Sequence, residues 1–138
     1  MLTFSVAATR SGPEGSTASA KSASLSLDTS LAGRVDALNP VELLLASQAA
    51  CFIKGVERLA PTLNFEFSSV RVELEADRPE AEARIAQLRY RIEIDTDESD
   101  HRLELLHKNL KKNGTIFNTL SAGTEMVGTI SRLTETRS

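Results

Sequence analysis

Apolar positions along the chain recur with two periods, one near two residues and one near 3.6. Residues 2–8 alternate loosely, and residues 19–28 alternate again with Ala23, Leu25 and Leu27 on one side. Both read as strands, and a hairpin between them is predicted. Residues 10–19 are rich in Gly, Pro and Ser and read as a turn or loop, and residues 29–38 as another loop. Further on, Phe65 and Phe67 share one face, whereas Val70, Val72, Leu74 and Ala76 share the next register. That change of phase at Ser68 and Ser69 predicts a bulge or bend. A turn over residues 78–82 follows. Leu88, Tyr90, Ile92 and Ile94 then alternate with Arg89, Arg91, Glu93 and Asp95, the pattern of a half-buried strand antiparallel to the one before. Residues 126–133 alternate weakly and are expected to close the sheet.

The longest apolar-rich stretch is residues 39–59, NPVELLLASQAACFIKGVERL. Asn39 is placed to cap a helix, Pro40 suits its first position, and Glu42 closes a capping box. Ala60 and Pro61 are expected to end it. Residues 97–112 form a second predicted helix, acidic at its start, with Lys108, Lys111 and Lys112 at its end. Leu103, Leu106 and Leu110 give it one apolar stripe. Asn113 and Gly114 stop it, and residues 115–120 allow one more short helical turn. The predicted order is β-β-α-β-β-α-β, with two main helices in one domain over residues 1–138. That is an α+β protein with a largely antiparallel sheet. The first half of the long helix is apolar nearly all round, and one small sheet covers only one side. A homodimer with the helices of both copies at the interface is therefore predicted.

Composition narrows the function. The chain has 138 residues, 41% apolar and 25% charged, with a net charge of −3. It has no basic block, so neither nucleic acid nor an anionic membrane is an expected partner. No run reaches transmembrane length. The first twenty residues lack the pattern of a secretory signal. One cysteine makes no intrachain disulfide, and a reducing, cytoplasmic setting is expected. His101 and His107 are six apart and read as solvated helix residues, so no metal and no cofactor is expected. No phosphate-cradling glycine loop appears.

The remaining chemistry is the thiol of Cys51. On a helix its neighbours are Leu44, Ser47, Gln48, Lys54, Gly55 and Arg58. Helical side chains lean toward the N-terminus, so Lys54 reaches back toward the sulfur and favours the reactive thiolate. A free cysteine on an apolar helix is more often a small buried hydrophobe. Glu42, nine residues away, lies on the opposite side of the helix, and capping accounts for it.

The run NPVELLLASQAAC, with its Asn-to-Cys spacing, resembles the OsmC/Ohr family of osmotically inducible and organic-hydroperoxide-resistance proteins. The element order and the tail GTIFNTL are similar too, so the resemblance spans most of the chain. It implies an intertwined α+β homodimer with thiols at the subunit interface. It also implies a peroxidatic cysteine at Cys51, held as thiolate by an Arg of the N-terminal loop. Arg10, which opens the Gly-rich loop, matches that Arg, and Arg34 is the other candidate. The activating Glu of the family falls at Val41. The resolving cysteine, in a Cys-Pro-x-Ser-x-x-Leu context, falls at Gly114 when counted back from Leu120. Oxidised Cys51 would then need an external thiol, a backbone nitrogen or the Cys51 of a second copy. The resemblance implies a stress-response thiol protein, either a one-cysteine reductase of organic hydroperoxides or a non-enzymatic dimer holding a small apolar ligand with Cys51 structural.

Overall fold

A computed structural model describes residues 1–133. The chain divides into two compact units, residues 1–44 and the residues from 45 onward.

In the first unit three strands form an antiparallel meander: β1 (Ala7–Gly12), β2 (Gly15–Ala20) and β3 (Ala23–Leu27). Arg10 stands opposite Ser16, and the register shifts between Arg10 and Gly12. The stretch expected as a loop, residues 10–19, is therefore mostly strand. Its Ser, Thr and Ala side chains show no apolar alternation, yet the backbone N–H and C=O groups pair regardless. Lys21, at φ 56°, makes the second turn. After β3 the chain is held by Asp28. Its carboxylate accepts from the Ser30 and Arg34 backbone N–H groups, and its own N–H donates to the Leu38 carbonyl.

Helix α1 (Pro40–Leu63) begins with the predicted capping box. The Glu42 N–H donates to Asn39 Oδ1, and the Asn39 N–H donates to Glu42 Oε1, both at 2.9 Å. The helix does not end at Pro61, which lies in its last turn. It ends at Asn64, whose φ of 53° is left-handed, and the Phe65 N–H returns to the Ala60 carbonyl at 2.9 Å. A proline in a final turn removes one ladder bond, and the left-handed residue beyond it is the actual stop.

The second unit contains β4 (Ser69–Asp77), β5 (Gln87–Asp95) and β6 (Glu125–Arg132), in the order β4-β5-β6. The β4–β5 pair is antiparallel from Ser69 opposite Asp95 to Asp77 opposite Gln87. The phase change at Ser68 and Ser69 is the start of β4 rather than a bulge. There the Ser68 N–H donates to the Asp95 carbonyl. Strand β6 runs parallel to β5, reached through α2 (Asp100–Asn113) and α3 (Thr115–Ser121). The observed order, β-β-β-α-β-β-α-α-β, adds a strand and a short helix to the predicted one and divides the strands between two sheets. The α+β class stands.

The core joins Phe52, Val56 and Ala60 of α1, Leu88, Tyr90, Ile92 and Ile94 of β5, and Leu103, Leu106 and Leu110 of α2. Outward residues of β5 pair across to β4, as Arg91 does with Glu73 at 2.6 Å. Ser99 caps α2, accepting from the Arg102 N–H. The Arg102 guanidinium donates to the Leu63 and Asn64 carbonyls, satisfying acceptors at the end of α1 that have no helical partner.

Candidate functional site around Cys51

The buried stripe of α1 runs through Gln48, Phe52, Gly55, Val56 and Ala60. Cys51 lies at the edge of that stripe and is half-buried. Lys54 is exposed. Gly55 lets α2 come close, because a Cβ there would stand 2.7 Å from Leu110 Cδ2. Just beyond Leu110 the α2–α3 junction comes up against the thiol. A Cβ on Gly114 would lie 3.7 Å from Cys51 Sγ and 3.4 Å from the Phe117 Cβ. Gly114, where the resemblance places the family's second cysteine, thus lies beside Cys51.

Phe52, next in the chain after Cys51, belongs to an aromatic cluster. The Phe52 and Tyr90 ring centroids are 4.7 Å apart, and Phe117 lies 6.1 Å from Phe52 and 6.2 Å from Tyr90. The Tyr90 hydroxyl and His107 Nε2 are hydrogen-bonded at 2.7 Å. His107 is therefore not the solvated residue expected of it. Burial, with the Lys111 charge second, pulls its pKa from 6.5 down to about 4, so the imidazole is neutral near pH 7. Burial likewise pushes the Tyr90 phenol up to about 12. His101 is exposed, as expected, and no metal-binding cluster occurs among the described residues.

Gln48 is the residue that sequence reasoning passed over except as a neighbour of the thiol. It is 0% exposed, and neither its Nε2 nor its Oε1 has a hydrogen-bond partner among the described residues. Its one sequence signal is a carboxamide set into an apolar stripe one turn before the cysteine.

The two candidate activating arginines lie in the first unit. Arg10 is an exposed residue of β1. Arg34 is engaged: its Nε and Nη2 donate to the two Asp36 carboxylate oxygens at 2.8 and 3.0 Å. That pairing holds the Asp36 carboxyl below the usual carboxylate range. Glu42 is confined to the cap, as expected, and Val41 supplies no charge.

A single half-buried thiol, carried on a long helix and lodged against a helix junction, defines an α+β thiol protein. The chain belongs to the family of OsmC-like proteins, whose family model matches residues 33–127. Solved structures share the fold. An OsmC-like protein from Mycoplasma pneumoniae matches with a TM-score of 0.87 at 15% identity, over 96% of this chain and 99% of that one. An organic hydroperoxide resistance protein OsmC from Legionella pneumophila matches with a TM-score of 0.72 at 17% identity, over 95% and 99%. One from Elizabethkingia anophelis, with crystallant-derived thiocyanate bound, gives 0.74 at 15%, over 96% and 99%. No curated protein matches the sequence.

Proposed function

We propose that this protein is a stress-response thiol reductase that reduces organic hydroperoxides through Cys51, with an external reductant. The thiolate attacks the peroxide O–O bond. The sulfur takes one oxygen as a sulfenic acid, and the other leaves as the alcohol once protonated. The observation that carries this reading is the half-buried state of Cys51. A structural cysteine would be sealed in the apolar core, as Phe52 beside it is at 1% exposure. The structurally similar proteins from Legionella pneumophila and Elizabethkingia anophelis are described as organic hydroperoxide resistance proteins, which supports the same substrate class. Arg10 is proposed as the cation that favours the thiolate.

The working form is proposed to be a homodimer in the cytoplasm. Support for the dimer comes from the first unit, in which no apolar side chain is buried. Leu2, Phe4, Val6, Leu25, Leu31, Val35 and Leu38 are all exposed there. A surface so apolar calls for a covering partner.

The test is the pH dependence of Cys51 alkylation in the native protein, with reaction against cumene hydroperoxide followed by intact mass. An apparent pKa clearly below the ordinary value of about 8.5, with rapid gain of one oxygen, is expected. Arg10→Ala should raise that apparent pKa. A thiol that reacts only after unfolding overturns the reductase reading in favour of a dimer that holds a small apolar ligand.

A further inference from the structure

Asparagine is a thermolabile residue. Its Cγ is open to attack by the backbone nitrogen of the next residue, and a side chain on that residue obstructs the approach. The chain has Asn39, Asn64, Asn109, Asn113 and Asn118. Asn39 precedes Pro40, whose nitrogen carries no hydrogen to give up. Asn64, Asn109 and Asn118 precede Phe65, Leu110 and Thr119, each with a bulky side chain. Asn113 precedes Gly114, which obstructs nothing.

The fold explains why that glycine is there. Its φ of −84° and ψ of 116° are open to any L-residue, so the backbone does not demand it. Packing does. A Cβ would stand 2.7 Å from the Leu110 carbonyl oxygen, 3.4 Å from the Phe117 Cβ and 3.7 Å from Cys51 Sγ. The carbonyl is main chain and cannot turn aside. The close fit of the α2–α3 junction thus keeps a labile Asn-Gly bond in the chain, next to the thiol.

Asn113 is exposed and is the last residue of α2. Its Nδ2 donates to the Asn109 carbonyl at 3.0 Å, and that bond must open before Cγ meets the Gly114 nitrogen. At an exposed helix end such a bond opens by fraying, at a small fraction of the free energy of global unfolding.

We infer that Asn113 is a site of spontaneous deamidation, with water as co-substrate, and that the product loosens the junction beside Cys51. The site is independent of any reaction of Cys51 with hydroperoxide. The Gly114 nitrogen gives up its proton and attacks Asn113 Cγ. The N–Cγ bond forms, the Cγ–Nδ2 bond breaks, and ammonia leaves with that proton. Water then opens the cyclic imide. Cleavage at Cγ gives aspartate, and cleavage at the main-chain carbonyl gives isoaspartate. One water enters and one ammonia leaves. Both products put a carboxylate at the C-terminal end of α2, where the helix dipole disfavours it. Isoaspartate also lengthens the main chain by one methylene, at a junction with no room for a single Cβ.

The test holds the full chain at mildly alkaline pH and maps its peptides by mass, with isoaspartate labelled by an isoaspartyl methyltransferase. Asn113 should convert faster than any other asparagine, and Asn113→Gln should abolish the labelling. The native chain should convert at no less than about a hundredth of the rate of the same chain in guanidinium chloride, because fraying costs far less than unfolding. The labelled form carries an extra negative charge and separates by anion exchange. It should unfold at a lower urea midpoint than Asn113→Asp, which has the charge without the longer main chain. The inference is overturned by a native rate below that fraction, by another asparagine converting as fast, or by equal urea midpoints.

Discussion

Gly128 shows how much one missing Cβ decides here. It stands opposite Tyr90 in the β5–β6 ladder, and a Cβ on it would clash with the Tyr90 ring. Gly128→Ala should therefore displace the ring from its place beside Phe52 and His107, lowering stability by about 1–3 kcal/mol in urea unfolding. His107 sets a pH dependence in the same cluster. Its pKa is about 4 in the folded chain against 6.5 ordinarily, so between those values the unfolded chain binds the extra proton. Stability should fall as pH drops through that window and stay unaffected by this group above it. Urea midpoints measured from about pH 7 to about pH 4.5 should decline more steeply for wild type than for His107→Gln.

Among the elements, α1 carries the thiol, and its start is fixed by two reciprocal hydrogen bonds at Asn39 and Glu42. Asn39→Ala should cost about 1 kcal/mol, and Asn39→Asp should recover most of it, in the same unfolding assay. The α1–α2 contact depends on Leu110 filling the space at Gly55, which brings the α2–α3 junction to the sulfur. Leu106, 0% exposed at the centre of α2, anchors that helix. Leu106→Ala should lose about 2–5 kcal/mol by leaving a cavity in the core.

The molecule as a whole leaves its first unit without an apolar core of its own, since the only buried side chain there besides that of Ser16 is Asp28. A three-stranded sheet with exposed Phe4, Leu25 and Val35 nearby is expected to gain its missing burial from a second copy. Light scattering after size exclusion should give the mass of two chains. Phe4→Asp combined with Leu25→Asp should shift the population toward one chain and lower the urea midpoint with it.

The α1 cap, the α2 stripe and the β5 alternation were legible in order, because each depends on residues close together in the chain. The cap needs Asn39 and Glu42 three apart, and the β5 face needs only period two. The β1–β2 pairing was not legible: residues 10–19 look like a loop because a ladder of Ser, Thr and Ala is held by backbone bonds with no apolar pattern to announce them. Nor was the passage of α1 through Pro61, which the left-handed Asn64 turned into a late stop. The sequence by itself determined the α+β class, the thiol helix and the lack of a second cysteine, all of which follow from local pattern and residue identity. Only the tertiary structure decided that Gly114 flanks the sulfur, that His107 is drawn into the Tyr90 cluster, and that Gln48 is buried without a hydrogen-bond partner among the described residues. These depend on which surfaces α1, α2 and β5 bring together, and no local spacing encodes that.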